Sequence, residues 1–141
     1  MSDGKTPARL KLEVVTPEGL LLREDVDDVV IPGAEGYFGV HPGHTPLLAT
    51  LGVGGISYTR AGVTRHLTCF WGFCEVLADR VNILAEAGER ASDIDADQAE
   101  QDRRRALDRL KAIHDEAGYR EARADYVKAV TRLSVARGQK G

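Results

Sequence analysis

Cysteine is scarce in this chain of 141 residues. Cys69 and Cys74 are the only two, too few for a disulfide framework, and they point to a reducing compartment. An excess of one charge is lacking as well. The 19 Lys and Arg face 22 Asp and Glu, a formal net charge of −3, which argues against a partner recognised through nucleic-acid phosphates. No apolar run approaches the ~20 residues of a membrane-spanning helix, so direct membrane insertion is not expected. The run Met1-Ser2-Asp3-Gly4-Lys5-Thr6-Pro7 has neither an apolar signal region nor an Arg-rich amphipathic stretch. It reads as an N-terminal tail, on a protein that is cytosolic or peripheral to something larger. With 43% apolar and 29% charged residues the composition is globular, and the length suits one domain or two small ones.

Proline is absent beyond Pro46, and 12 of the 15 glycines lie at or before Gly88. Charge has the opposite bias: residues 1–88 carry 7 basic and 11 acidic side chains, residues 89–141 carry 12 and 11. Pro and Gly punctuate turns, whereas a Pro-free, charge-rich stretch suits exposed helix. The expected organisation is therefore α+β. An antiparallel β-sandwich or flattened barrel over 1–88 is followed by an antiparallel two-helix hairpin over 89–141. Leu10-Lys11-Leu12-Glu13-Val14 alternates as a half-buried strand does. Strands are expected at Leu20–Leu22, Val26–Ile31, Gly54–Thr59, Val63–Cys69, Phe73–Leu77 and Val81–Ala85. Hairpin turns fall at Arg60-Ala61-Gly62 and Ala78-Asp79-Arg80.

In the second half Ser92, Asp93 and Asp95 offer helix N-caps. Ala99, Arg103, Ala106, Leu110 and Ile113 then form one stripe, and Tyr119, Ala122, Tyr126, Ala129, Leu133 and Ala136 a second, with Gly118 interrupting between them. Alanines let the helix axes approach closely. Such narrow apolar faces bury little, so the pair is expected to dock weakly and to be able to move.

Catalytic motifs are missing. Gly4-Lys5-Thr6 has no strand or upstream glycine to make a phosphate loop, and no Gly-x-Ser-x-Gly elbow occurs. His41-Pro42-Gly43-His44 supplies two imidazoles, with His66 and Glu75 as conceivable further ligands. A Pro-Gly turn does not by itself aim both rings inward, so no metal is expected, and a metal-dependent β-barrel enzyme is the alternative reading. Cys69 and Cys74 read as core residues rather than a redox pair. Arg103, Arg104, Arg105 and Arg109 read as a solvated helix face, or as a surface for an acidic protein partner.

The run Pro32-Gly33-Ala34-Glu35-Gly36-Tyr37-Phe38-Gly39-Val40-His41-Pro42-Gly43-His44-Thr45-Pro46-Leu47 resembles the signature loop of the epsilon subunit of bacterial F-type ATP synthases. Trp71-Gly72-Phe73-Cys74-Glu75-Val76, Val81-Asn82-Ile83-Leu84-Ala85-Glu86, Ile94-Asp95 and Arg132-Leu133-Ser134-Val135-Ala136 continue the match in order. The resemblance implies a non-catalytic central-stalk rotor subunit, coupling c-ring rotation to ATP synthesis. It would sit peripherally on the cytoplasmic face of a bacterial plasma membrane, and its C-terminal helices would restrain ATP hydrolysis. Implied partners are the gamma subunit, the c ring, and the beta and alpha subunits. By position, Ala34, Glu35, Gly36, Tyr37, Phe38 and Gly39 would meet the c ring, with Tyr37 standing where members often carry an acid. His41, Pro42, Gly43 and His44 would meet gamma. Arg103, Arg104, Arg109, Arg120, Arg123 and Lys128 would face acidic segments of beta.

Some relatives also bind ATP on the helices through Ile/Leu-Asp-x-x-Arg-Ala. Ile94, Asp95 and Ala99 match that motif, while Gln98 replaces its arginine. Glu89, Arg105 and Arg132 match further positions, and Lys128 stands for an arginine. Lysine is a point charge and glutamine carries none, so two phosphate contacts of roughly 1.5–3 kcal/mol each are weakened or lost. The expectation is weak or no regulatory ATP binding and no cofactor.

Overall fold

The computed structural model describes residues 6–138; the N-terminal run 1–5, read as a tail, lies outside them. Seven strands come first: β1 Leu10–Thr16, β2 Gly19–Val26, β3 Asp28–Gly33, β4 Gly36–Val40, β5 Leu47–Arg60, β6 Val63–Val76 and β7 Arg80–Ala87. A 3-10 turn at Ala91–Asp93 leads to helices α1, Ala96–Ala112, and α2, Glu116–Ala136. The strands form one sheet in the order β2-β1-β7-β6-β5-β3-β4, with β1 and β7 parallel and every other pair antiparallel. The sheet folds over into a sandwich. Its two layers share the 14-residue strands β5 and β6, and past the end of β2 the Asp27 N–H donates to Thr59 O at 2.7 Å.

The expected strand Val26–Ile31 is broken at Asp27. That residue leaves the ladder because its carboxylate accepts from the Ala61 N–H at 2.9 Å, steadying the β5–β6 turn. Ala61 and Gly62 both take positive φ, 50° and 80°, as a two-residue hairpin loop requires. Gly36–Val40, read as loop, is an edge strand, and β5 begins at Leu47 rather than Gly54. Glycine inside β5 serves close approach: a Cβ on Gly54 would run into the Tyr37 hydroxyl and Pro32.

The two expected strands Val63–Cys69 and Phe73–Leu77 are one strand with a kink. Trp71 has φ 61° and Gly72 φ 143°, and the side-chain alternation changes phase there. Leu67 and Cys69 point into the core before the kink, Cys74 and Val76 after it, so both cysteines are buried although five residues apart. The core is closed within the sandwich, running from Leu10, Leu12 and Val14 through Ile31, Ile56 and Leu67 to Val81 and Ile83.

Of the three N-cap candidates, Asp95 caps α1, its carboxylate accepting from Gln98 N–H at 3.0 Å. Asp115 caps α2 through Gly118 N–H at 3.1 Å. Gly118 thus lies inside the first turn of α2 instead of separating the helices; the separation falls at Ile113–Asp115. Ala99 and Ala106 of α1 and Ala122 and Ala129 of α2 are all buried, as close helix packing demands. Tyr119, placed on the apolar stripe, is 49% exposed. The helix pair meets the sandwich instead through the C-terminal half of α2, where Thr131, Leu133 and Val135 are buried and the Lys128 ammonium sits 5.8 Å from the Phe70 ring centre.

A Cβ at Gly72 would collide with the Leu84 carbonyl and come within 2.9 Å of the Ala85 Cα, at a φ that side chains rarely adopt. Gly72→Ala is expected to cost at least about 2 kcal/mol of unfolding free energy. Gly39→Ala, with nothing within 4 Å of the added carbon, should stay within about 0.5 kcal/mol. Urea denaturation of the two variants checks both.

Candidate partner-binding surfaces

The β3–β4 hairpin projects Ala34, Glu35, Gly36, Tyr37 and Gly39 into solvent, while Phe38 packs against the core. Gly36, at φ 134°, makes the turn, and the Ala34 N–H donates to Thr50 O at 2.9 Å. Tyr37 is 44% exposed and folds back across β5, where its hydroxyl accepts from the Gly55 N–H at 3.1 Å. The six residues expected together at a ring-facing loop thus form a hairpin turn, Ala34 and Glu35, and the edge strand that follows it, with the Tyr37 ring seated across β5. The His41–His44 turn packs beside the β6–β7 turn. Gly43, at φ 87°, donates its N–H to Ala78 O at 2.7 Å, and His44 Nδ1 donates to Thr45 O at 2.6 Å.

The metal alternative is not assembled. His66 Nδ1 lies 2.9 Å from Ser57 Oγ, toward the β5–β6 turn and away from the His41–His44 turn. Glu75, toward the opposite end of β6, accepts from Asn82 Nδ2 at 3.1 Å. Among the described residues no three His, Cys, Asp or Glu are grouped to hold a metal ion.

An apolar row was missed by sequence reasoning. After the kink, β6 turns Trp71 and Phe73 outward, 56% and 62% exposed. Phe73 pairs with Leu84, Leu84 with Val15 and Val15 with Leu20, so these side chains line up across four strands. Leu84 and Leu20 are 59% and 53% exposed, and an apolar groove of about 400 Å³ opens beside them between Pro17, Phe73 and Leu84. The signal lay in apolar residues on both parities, Ile83 with Leu84 and Phe73 with Cys74. A contiguous exposed apolar patch of this kind marks a protein interface.

The cationic residues of the hairpin divide. Arg103 and Arg104 are engaged by Glu100, with contacts of 2.7 to 3.1 Å; the Arg103 hydrogen bonds hold the Glu100 carboxyl down to about 2. Arg109 pairs with Asp125 at 2.9 Å, while Arg120, Arg123 and Lys128 are exposed. Of the degenerate nucleotide set, Arg105, Lys128 and Arg132 share an interhelical groove of about 320 Å³. Two carboxylates, Asp102 and Asp125, line it with them. Glu89 reaches the groove only through Arg132, which it binds at 2.7 and 3.1 Å. Asp95 and Gln98 are occupied at the α1 cap, Gln98 Nε2 donating to Asp102 at 2.9 Å, and Ile94 and Ala99 are buried.

Residues 9–91 match the family model of the ATP synthase delta/epsilon chain β-sandwich domain. An ATP synthase epsilon chain of Nitratidesulfovibrio vulgaris is 44% identical over 89% of this chain and 94% of its own. That of Solibacter usitatus is 45% identical over 92% and 97%. The chain belongs to the ATP synthase epsilon chain family. A subunit in the Euglena gracilis mitochondrial ATP synthase structure shares the fold, with a TM-score of 0.81 at 22% identity over 93% of this chain and 83% of that one.

As an epsilon chain it is an accessory subunit rather than an enzyme, and its thiols are shielded to match. Burial, with the nearby Cys74 thiol adding to it, pushes Cys69 up to about 12 from an ordinary 9; burial raises Cys74 as well. A folded value above the unfolded one means stability is full below pH 9 and falls as pH climbs toward 12, at up to about 1.4 kcal/mol per pH unit. Denaturation curves from pH 8 to 11 should show this fall, and Cys69→Ala should flatten it.

Proposed function

We propose that this epsilon chain is a non-catalytic rotor subunit in the central stalk of a proton-translocating F-type ATP synthase. It couples c-ring rotation to ATP synthesis and restrains ATP hydrolysis through α1 and α2. The observation that carries the reading is the separation of two outer faces on an epsilon-chain sandwich. One face is covered by the chain's own helices; the other presents Trp71, Phe73, Leu84 and Leu20 uncovered. In this reading the apolar row and the His41–His44 turn seat on gamma, and the Ala34–Gly39 edge meets the c ring. When the hairpin swings out, Arg103, Arg104, Arg109, Arg120, Arg123 and Lys128 turn toward acidic segments of beta, within the alpha–beta head. Among the described residues no helix is long and apolar enough to cross a membrane, which suits a peripheral subunit on the cytoplasmic face of a bacterial plasma membrane. Regulatory ATP binding is weak or absent, because Asp102 and Asp125 share the cationic groove and Gln98 carries no charge.

Phe73→Glu and Leu84→Glu place a charge on the exposed row without touching the core. Each is expected to lower capture by immobilised gamma at least tenfold, with the melting temperature held within a few degrees of the parent. Undiminished capture excludes that face as the seat.

Cutting the chain after Ala91 preserves the closed sandwich core and the Glu89 and Arg90 bonds to it. The assembled complex carrying this shortened chain is expected to hydrolyse ATP several-fold faster while retaining a full complement of subunits. Equal rates with and without the helices exclude the restraining role.

A further inference from the structure

The ion cluster around Arg132 joins the sandwich to the helical hairpin. Glu89, just past β7, is the sandwich side. Its N–H donates to Thr68 Oγ1 and its C=O accepts from the Thr68 N–H, both at 2.8 Å, and Thr68 is wholly buried. Arg90 then reaches back to the Leu21 carbonyl with two N–H groups at 3.0 and 2.8 Å. The Glu89 backbone is therefore already ordered before its side chain meets a partner.

Arg132 of α2 supplies the other side as a planar fork. Its Nε and Nη2 donate to the two Glu89 carboxylate oxygens at 2.7 and 3.1 Å. Its Nη1 lies 3.8 Å from Asp102 of α1. The Arg132 side chain is 17% exposed and that of Glu89 32%. An exposed ion pair contributes little, but a shielded bidentate one on a preformed frame contributes more. One guanidinium thus ties the sandwich, α1 and α2 together.

We infer that Glu89 and Arg132 form a self-contained latch that holds the helical hairpin on the sandwich. The latch is a property of this chain alone; its influence on hydrolysis rests on the stalk reading above.

Hydrogen exchange of the full-length chain tests it, using Glu89→Gln, Arg132→Gln and the double variant. Each single change is expected to speed exchange across α1 and α2 roughly tenfold or more while leaving β1 and β7 as slow as before. The double variant should be no faster than the worse single one, because the pair acts as a unit. Millimolar ATP should leave exchange in the unaltered chain unchanged. Unaltered helix exchange, additive effects, equal acceleration in β1 and β7, or slowing by ATP would each overturn the latch. If the latch fails while removal of the helices still accelerates hydrolysis, the stalk reading stands without it.

Discussion

The kink at Trp71 and Gly72 governs which faces this molecule presents. A tryptophan at φ 61° costs of order 1–3 kcal/mol, and the fold sustains it because Gly72 lets the chain pass against the Leu84 carbonyl. The change of phase sends even-numbered residues of β6 outward before the kink and odd-numbered ones after it. Thr68 and Phe70 therefore face the helices and are buried, while Trp71 and Phe73 face solvent in the other layer. A straight strand in the same ladder would bury only one of Cys69 and Cys74 and would scatter the apolar row. Two outer faces of different character follow from two backbone angles.

Much of the architecture was legible in the order of residues. Alternation in Leu10–Val14, the Ala61-Gly62 turn and the alanine stripes of both helices each depend on local periodicity. What escaped depended on contacts distant in sequence. Asp27 breaks a strand because Ala61, 34 residues away, needs its carboxylate. Gly52 falls outside the expected strand Gly54–Thr59, yet β5 runs through it from Leu47, and Gly54 is needed within β5 because Tyr37 and Pro32 cross over it. Gly118 looks like a separator, but Asp115 uses its N–H as a cap.

The surfaces divide in the same way. The residues Ala34–Gly39 and His41–His44 are contiguous, so a sequence match marked them together and the fold keeps them together. The row Leu20, Val15, Leu84 and Phe73 is contiguous only through strand register, and apolar residues on both parities of a strand do not by themselves tell an outer face from an inner one. The cationic groove shows a third case. Its arginines were visible, but the carboxylates that neutralise them, Asp102 and Asp125, arrive from different helices and alter its chemistry.

In the proposed stalk reading the helix pair leaves the sandwich, so it must be soluble in both positions, and composition explains how it manages this. The inner faces of α1 and α2 are lined by alanine at four places, and an alanine methyl exposes far less apolar surface than a leucine would, at about 0.8 kcal/mol per CH₂. Apolar contact alone would then hold the pair loosely and without a defined angle. Directional polar contacts restore the definition: Asp caps at both helix starts, the Arg109–Asp125 pair between helices, and the Arg132 fork onto Glu89. The orientation of the hairpin thus rests on charge-assisted bonds, which water can replace when it leaves, while the sandwich keeps its own core intact. In the proposed stalk reading, that division lets one short chain remain seated on a partner through one face while the cover over its other face comes and goes.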